Sequence, residues 1–279
     1  MPKHEGKIEL HAHTTASDGC LTPQDLVRFA DESGIKHLAL TDHDSTAGLA
    51  LAREYCANSS VEIITGIELS SMQLDREIHL LGYFFDEHNQ TLQNKLQELV
   101  ADRSSRAERM IRKFNSLGYP LGFDEVKKKA GPNGLLGRPH VALVLVEHGI
   151  VNSINEAFDK FLNPGRPGYV PRLKLSPAEA IQLIKTSGGI PVLAHPGVDF
   201  SPSMLPDCLD AGLMGIECYH PKHTPLQTEI YLEIAQRHNL IITGGSDFHG
   251  YEREDWKYFG SLTPVEALLQ LKRFRKRLG

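Results

Sequence analysis

The feature that most constrains the fold is a series of short apolar runs separated by capped helical segments. Seven runs are apolar along most of their length: "KIELHAH" (7–13), "HLALTDHD" (37–44), "EIITGIELS" (62–70), "EIHLLGYF" (77–84), "GIPVLAHP" (189–196), "GIECYH" (215–220) and "LIITGGSDFH" (240–249). Continuous apolar runs of this length are typical of strands that are covered on both faces. Buried strands that alternate with helices predict an α/β fold, either a βα barrel or an open parallel sheet.

Four of the predicted helices begin with the same pattern, a serine or threonine followed by proline. The pattern occurs as "TPQD" at 22–25, "SPAE" at 176–179, "TPLQ" at 224–227 and "TPVE" at 263–266. The hydroxyl accepts a hydrogen bond from an early helix N–H, and proline at the first helical position loses no needed donor. These starts indicate where helices follow strands.

Residues 88–165 interrupt this alternation with helical patterns alone. The longest runs over 91–118 and ends at a glycine, and loops rich in glycine and proline follow at 131–139 and 163–172. We therefore predict a discontinuous barrel domain, residues 1–87 and 166–279, with a helical insert at 88–165. The insert would act as a lid or as a substrate-selecting subdomain.

Composition excludes several classes of protein. The 30 basic and 35 acidic residues give a formal charge of −5, so no long duplex nucleic acid is expected as a partner. The four cysteines form no CxxC pair and are expected to be free thiols. No apolar run precedes the first strand and none is long enough to span a membrane, so we expect a cytoplasmic protein. The oligomeric state stays open.

Side chains that can bind metals concentrate on the predicted strands, mostly at their ends: His11, His13, Asp18, His43, Glu68, His79, His195, Asp247 and His249. Each alone has an ordinary structural explanation, such as a core histidine or a turn. Together they would meet, because residues two apart on a strand face one side and strand ends in a βα barrel converge. Burying so many imidazoles and carboxylates without a cation would be costly. The sequence therefore predicts a metal cluster.

The donor set narrows the choice of metal. Six imidazoles and three carboxylates, with no thiolate, suit Mn²⁺, Fe²⁺ or Zn²⁺. Nine donors are too many for one ion, so we expect three divalent ions, with Mn²⁺ first and Zn²⁺ or Fe²⁺ as alternatives. Such ions exceed the three carboxylates by about three positive charges, which suits a phosphate dianion, and they generate a bridging hydroxide nucleophile.

The motifs that carry these residues resemble the polymerase and histidinol phosphatase (PHP) family of metal-dependent phosphoesterases. They are "HAHTTASDG", "LALTDHD", "GIELS", "IHLLGY", "VLAHP" and "GGSDFHG". The resemblance implies a distorted seven-stranded (β/α) barrel with a helical insert. It also implies three metal positions, held by His11, His13, Glu68 and Asp247, by Glu68, His79 and His195, and by Asp18, His43 and His249. Asp18, His43, Glu68, Asp247 and His249 would take part directly in catalysis.

The insert and the segment after it are similar to one branch of that family, which hydrolyses nucleoside 3′,5′-bisphosphates and trims RNA from the 5′ end. Arg138 and His140 match its "GRPH" motif, and an arginine fork binds phosphate bidentately. Arg172 and His223 are weaker candidates for binding substrate. Arg138 could instead form a structural contact in a loop, and His140 could be a helix residue without a ligand. The resemblance implies hydrolysis of a phosphate ester of a small nucleotide or short RNA.

Three other functions stay open on sequence grounds. A histidinol-phosphate phosphatase belongs to the same family, although the "GRPH" insert disfavours it. An amidohydrolase also begins with HxH on a barrel strand, but often uses a modified lysine where Glu68 stands here. A non-catalytic metal-binding regulatory module is disfavoured by the complete ligand set. Activity towards phosphate esters rather than amides would separate a phosphoesterase from an amidohydrolase.

Overall fold

The computed structural model describes residues 6–57, 59–73, 76–130, 136–171, 173–251 and 254–278. The chain divides into two compact units, one comprising Met1–Asn94 and Lys174–Gly279 and the other Lys95–Leu173. The role of the predicted insert at 88–165 as a lid or a substrate-selecting subdomain stays a prediction.

The first unit is built on one sheet whose seven strands follow each other in chain order. They are β1 (Lys7–Ala12), β2 (Ile35–Leu40), β3 (Glu62–Gln73), β4 (Arg76–Tyr83), β5 (Ile190–Leu193), β6 (Gly215–Tyr219) and β7 (Ile241–Gly244). Beyond the end of β7, a parallel bridge links Ala12 to Phe248, and the His13 N–H donates to the Phe248 carbonyl at 2.8 Å. The predicted α/β class with seven strands is confirmed.

One strand departs from the parallel arrangement that the sequence suggested. β4 runs antiparallel to both β3 and β5, whereas the other neighbours in the sheet are parallel. Only residues 74 and 75 separate β3 from β4, and a parallel pair would need a crossover of about a dozen residues. The first half of β4 therefore lies beside the second half of β3, with His79 opposite Ser70.

Helices surround the strands or form the second unit. They are α1 (Pro23–Glu32), α2 (Ala47–Cys56), α3 (Gln90–Ser116), α4 (Phe123–Ala130), α5 (Arg138–Glu147), α6 (Ile154–Ala157), α7 (Pro177–Thr186), α8 (Pro196–Asp199), α9 (Leu205–Asp210), α10 (Pro225–His238) and α11 (Val265–Leu278). Thr22, Ser176 and Thr224 cap α1, α7 and α10 as their sequences predict. No helix among the described residues has the length and apolar character needed to cross a bilayer.

Each unit has its own apolar core. In the first unit, residues from most strands pack with α11, among them Ile8, Leu10, Ile64, Leu81, Val192, Leu268 and Leu271. In the second unit, α3, α4 and α5 meet around Met110, Phe114, Val126, Val141 and Leu145. The core of the first unit fixes the strands whose ends carry the polar cluster described next.

Candidate metal centre

Glu68 on β3 is the centre of a group of imidazoles, and its side chain is fully buried. Its Oε2 lies close to three ring nitrogens, His11 Nε2 at 3.3 Å, His13 Nε2 at 3.2 Å and His43 Nδ1 at 3.2 Å. Its Oε1 lies close to two more, His79 Nδ1 at 2.9 Å and His195 Nε2 at 3.0 Å. One carboxylate thus contacts five of the six histidines that the sequence analysis selected.

Two further carboxylates extend the cluster. Asp247 Oδ1 lies 3.4 Å from His11 Nε2 and 3.2 Å from His13 Nε2. Asp18 Oδ1 lies 3.3 Å from His249 Nε2 and 3.8 Å from His13 Nδ1. Three overlapping groups have donor atoms spaced for a metal ion: His13, Asp18, His43 and His249; His11, His13, Glu68 and Asp247; and His43, Glu68 and His79. These groups contain eight of the nine predicted ligands, and the ninth, His195, joins them through its contact with Glu68 Oε1 at 3.0 Å.

Backbone pairing beyond the regular strands aligns these residues. The segment after β2 continues alongside β3, because the Glu68 N–H donates to the Asp42 carbonyl at 3.2 Å and the Asp44 N–H donates to the Glu68 carbonyl at 2.9 Å. His43 consequently faces Glu68 across an isolated parallel bridge. After β7, Asp247 adopts a left-handed φ of +54°, a conformation that aspartate tolerates better than most residues.

Asp42 secures the loop that carries Asp18. Its Oδ1 accepts from the Thr14 N–H at 2.7 Å and from the Ser17 hydroxyl at 2.7 Å, and its Oδ2 accepts from the Thr14 hydroxyl at 2.8 Å. Asp42 is buried, so these bonds form away from solvent, where they stabilise most. The carboxylate therefore orders the turn between His13 and Asp18.

Two buried carboxylates and one buried histidine at the site escaped the sequence analysis. Glu9 accepts backbone N–H bonds from His11, Ser246 and Gly260 at 2.9, 3.1 and 2.9 Å. Glu217 contacts His11 Nδ1 at 2.9 Å, and His220 Nε2 lies 3.6 Å from Asp247 Oδ2. The sequence contained signals for the two carboxylates. Glu9 shares the strand face of His11, and Glu217 is the single carboxylate in "GIECYH".

The acids and histidines shift each other's protonation. Burial disfavours the charged form of His13 and His79, but neighbouring carboxylates outweigh it and raise the pKa of His13 to about 9 and of His79 to about 10. For His43, burial together with nearby imidazoles outweighs Glu68 and lowers the pKa to about 3. Burial opposes ionisation of Glu68 too, yet the surrounding histidines hold its pKa well below the usual range.

Unpartnered buried atoms test whether a cation fits this arrangement. Among the described residues, the buried side-chain atoms that lack a hydrogen-bond partner include His11 Nε2, both ring nitrogens of His13, His43 Nδ1 and Glu68 Oε2. Buried polar atoms normally find partners. Four of these atoms lie together, because Glu68 Oε2 is within 3.3 Å of His11 Nε2, His13 Nε2 and His43 Nδ1, and the fifth, His13 Nδ1, lies 3.8 Å from Asp18 Oδ1. Imidazole nitrogens and carboxylate oxygens in one buried cluster are the donors that divalent first-row ions take. The residues therefore fit a set of divalent cations.

Exposure of the side chains indicates the side from which a substrate reaches the cluster. His11, His13 and Glu68 are inaccessible to solvent. Four other side chains are partly accessible to solvent, with exposed fractions of 12% for His195, 16% for His43, 20% for His79 and 52% for Asp18. The open side is thus the one that Asp18, His43 and His79 border.

Two of the predicted substrate-binding residues, Arg138 and His140, lie in the second unit. Arg138 begins α5 in the second unit, where its Nη1 donates to the Leu162 carbonyl at 3.3 Å and its guanidinium lies 5.4 Å from the Phe158 ring centre. His140 Nδ1 accepts from the Gly137 N–H at 3.1 Å. Arg172 lies outside the described residues. Contacts of these three with substrate stay predictions.

His223 is the fourth of these candidates and lies next to His220, with ring centres 5.3 Å apart. Both its nitrogens meet backbone groups, because Nδ1 lies 2.9 Å from the Cys218 carbonyl and Nε2 accepts from the Gly197 N–H at 3.1 Å. A contact between His223 and substrate would require one of these bonds to break.

The chain is similar to a known protein family and to several known proteins. A family model described as PHP domain matches residues 9–161. The 5′-3′ exoribonuclease Rnm of Escherichia coli (strain K12) is 34% identical over 86% of this chain and 84% of its own length. The 3′,5′-nucleoside bisphosphate phosphatase of Chromobacterium violaceum is 33% identical over 87% of each chain. The solved structure of a protein from Bifidobacterium adolescentis, named a metal-dependent phosphoesterase, matches with a TM-score of 0.81 at 31% identity over 96% of each chain.

Proposed function

The chain belongs to the PHP domain family of metal-dependent phosphoesterases, and we propose that its substrates are phosphorylated nucleotides. The proposed reaction removes the 3′-phosphate of nucleoside 3′,5′-bisphosphates, and the same site trims short RNA from its 5′ end. The names of the two enzymes that this chain matches over more than four fifths of its length support this choice.

The observation that carries the proposal is the overlap of three donor groups, which share His13, His43 and Glu68 in pairs. Shared donors favour three closely spaced divalent ions over isolated sites, and the mixture of imidazole and carboxylate favours Mn²⁺, with Zn²⁺ or Fe²⁺ as alternatives. The proposed ligands are His11, His13, Asp18, His43, Glu68, His79, His195, Asp247 and His249. When bound, the ions supply Lewis-acid charge and a lowered pKa for attacking water.

The chain's own residues prepare that chemistry. Glu68 and Asp247 contribute buried negative charge that holds the imidazoles of His11 and His13 in fixed orientations. Asp18 and His43 border the open side, where a phosphoryl group can enter. We assign the direct catalytic roles to Asp18, His43, Glu68, Asp247 and His249. Arg138, His140, Arg172 and His223 remain the candidates for gripping the substrate's phosphates.

Metal analysis joined to a hydrolysis screen tests the proposal, with released phosphate measured for the phosphate monoesters, released mononucleotide for the RNA and released amine for the amide. The panel contains adenosine 3′,5′-bisphosphate, adenosine monophosphate, 5′-phosphorylated short RNA, histidinol phosphate, p-nitrophenyl phosphate and an amide substrate. We expect about three Mn²⁺ ions per chain and the highest kcat/KM on the bisphosphate or the RNA. A preference for histidinol phosphate would assign a different substrate, and turnover of the amide alone would reject phosphoester hydrolysis.

A further inference from the structure

A carboxylate of β6, Glu217, contacts two of the proposed metal ligands although it lies outside the donor groups. Its side chain is fully buried. Its Oε1 lies 2.9 Å from His11 Nδ1, and its Oε2 accepts the His195 backbone N–H at 2.7 Å. We propose that Glu217 is a positioning residue that turns His11 and His195 so that both present Nε2 to the metal cluster. The proposal rests on the proposed function, because it assumes that the cluster binds metal.

The contact with His11 sets which ring nitrogen faces the cluster. A carboxylate oxygen only accepts hydrogen bonds, so His11 must carry its proton on Nδ1 to bond with Glu217. The lone pair of the neutral ring is then on Nε2, which lies 3.3 Å from Glu68 Oε2 and 3.4 Å from Asp247 Oδ1. Carboxylate partners of this kind commonly fix the tautomer and orientation of a metal-binding histidine.

The contact with His195 acts on the backbone instead of the ring. His195 has a φ of +23°, which non-glycine residues rarely adopt, and it lies two residues beyond the end of β5, directly before α8. Such a conformation persists where surrounding bonds hold it. The bond from its N–H to Glu217 is one such restraint, and it leaves His195 Nε2 3.0 Å from Glu68 Oε1.

A glutamine cannot reproduce both contacts. The Glu217 carboxylate accepts two hydrogen bonds through two oxygens, whereas a glutamine amide has one acceptor oxygen and one donor nitrogen. With the amide oxygen towards the His195 N–H, the NH₂ group would face His11 Nδ1 and favour the opposite tautomer. With the amide reversed, two donors would face each other at His195. Glu217→Gln therefore changes the orientation of at least one ligand while nearly preserving volume.

Two matched variants separate a changed ligand orientation from a general loss of stability. Thr243 is opposite Glu217 in register on β7, is fully buried, and its hydroxyl has no hydrogen-bond partner among the described residues. Thr243→Val therefore perturbs the same layer without removing a bond. Glu9 is another buried carboxyl group, which accepts hydrogen bonds from the backbone N–H groups of His11, Ser246 and Gly260. Glu9→Gln replaces this carboxyl group by an amide of nearly the same volume without touching the ring of His11.

The decisive measurement is Mn²⁺ affinity by titration calorimetry, with metal content checked by elemental analysis. We expect Glu217→Gln to weaken Mn²⁺ binding about 10–100-fold, the usual effect of losing a carboxylate that orients a metal ligand. Thr243→Val should bind as the wild type does, and Glu9→Gln should lose stability with a smaller change in affinity. Equal affinity losses in Glu217→Gln and Glu9→Gln would overturn the proposal.

A second measurement needs no variant, so it works even where Glu217→Gln fails to fold. Long-range ¹H–¹⁵N spectra of the zinc-loaded wild-type protein should show His11 protonated on Nδ1 and bound to zinc through Nε2. Zinc bound through His11 Nδ1 would overturn the proposal. If the protein binds Mn²⁺ and Zn²⁺ but hydrolyses no phosphate ester, the proposed function fails and the positioning role still stands on both readouts. If it takes up neither ion, both proposals fail.

Discussion

Oε1 of Glu68 lies 2.9 Å from Nδ1 of His79 across two antiparallel strands. In the register of β3 and β4, His79 is opposite Ser70 and therefore two positions from the partner of Glu68. Side chains two positions apart share one face of a strand, and a diagonal pair is within reach of long side chains. The reversed direction of β4 thus brings a mid-strand histidine to the same place as residues at the ends of parallel strands.

Replacing Glu68 should abolish the metal cluster. Glu68→Gln removes the negative charge that faces five histidines, so metal content should fall and kcat/KM should drop more than about 100-fold. A loss of this size exceeds the usual effect of removing a residue that only hydrogen-bonds a metal ligand. Elemental analysis and p-nitrophenyl phosphate hydrolysis measure both. Glu62→Gln is the control, because Glu62 is half-exposed on the same strand and pairs with Lys272 and His37. Retention of full metal content in Glu68→Gln would contradict the central role of Glu68 in metal binding.

The metal-free protein should become less stable as pH rises above neutrality. The raised pKa values of His13, about 9, and His79, about 10, add stability that is fully present below the unfolded value near 6.5. That stability is lost as pH rises through about 9–10. The lowered pKa of His43, about 3, acts in a different pH range. Its contribution to the free energy of unfolding is lost as pH falls from about 6.5 towards 3.

Chemical denaturation in the presence of a chelator at pH 6.5, 8 and 9.5 checks this dependence. The free energy of unfolding should decrease across the series in the wild-type protein. The decrease should be smaller in His79→Gln, which lacks one of the three histidines with a raised pKa, His11, His13 and His79. Stability that is constant or increases over this range would show that these histidines do not hold protons in the metal-free state.

Metal binding should release protons near neutral pH. His13 and His79 are protonated at pH 7 in the metal-free protein, since their pKa values are about 9 and about 10, and a protonated nitrogen cannot bind a metal ion. Up to about two protons should leave from these residues, and Mn²⁺ affinity should increase with pH up to about 10. Calorimetry in buffers of different ionisation enthalpy counts the protons. Affinity that is independent of pH would refute this linkage.

Removing the Asp42 carboxylate should disorder the turn that carries Asp18. Asp42→Ala leaves three buried donors of Thr14 and Ser17 without their partner, so we expect a loss of about 2–4 kcal/mol in the free energy of unfolding. Ser17→Ala removes one of these bonds and should cost less, about 1 kcal/mol. Equal stability of the two variants would show that the loop does not depend on Asp42. Denaturant unfolding at matched pH gives the comparison.

Arg138→Ala should weaken the use of nucleoside bisphosphates far more than that of p-nitrophenyl phosphate. The guanidinium can bind the second phosphate of a bisphosphate bidentately, whereas p-nitrophenyl phosphate has only one phosphate group. Because Arg138 also donates to the Leu162 carbonyl, unfolding must be measured alongside kcat/KM. Arg112→Ala is the control, since Arg112 is 67% exposed on α3 and pairs with Glu108. Equal losses on both substrates would reject a specificity role for Arg138.

Local sequence signals were sufficient for much of the first unit. Apolar runs located all seven strands, and the Ser/Thr-Pro pattern located the starts of α1, α7 and α10, because a cap depends only on residues within one turn. Histidines two apart on β1 predicted a shared face for the same reason. What these signals did not contain was the direction of β4, which follows from the two-residue connection to β3.

The sequence by itself determined which side chains can bind a metal and which of them belong to strand ends, since both depend on residue type and on a period of two. Only the tertiary structure decided that Glu68 contacts five imidazoles and that Glu217, 206 positions from His11 in the chain, contacts the His11 ring. Those relationships depend on strand order and register, which arise when separate strands pack around a common core. Local periodicity carries no information about which distant carboxylate such packing brings to a given histidine.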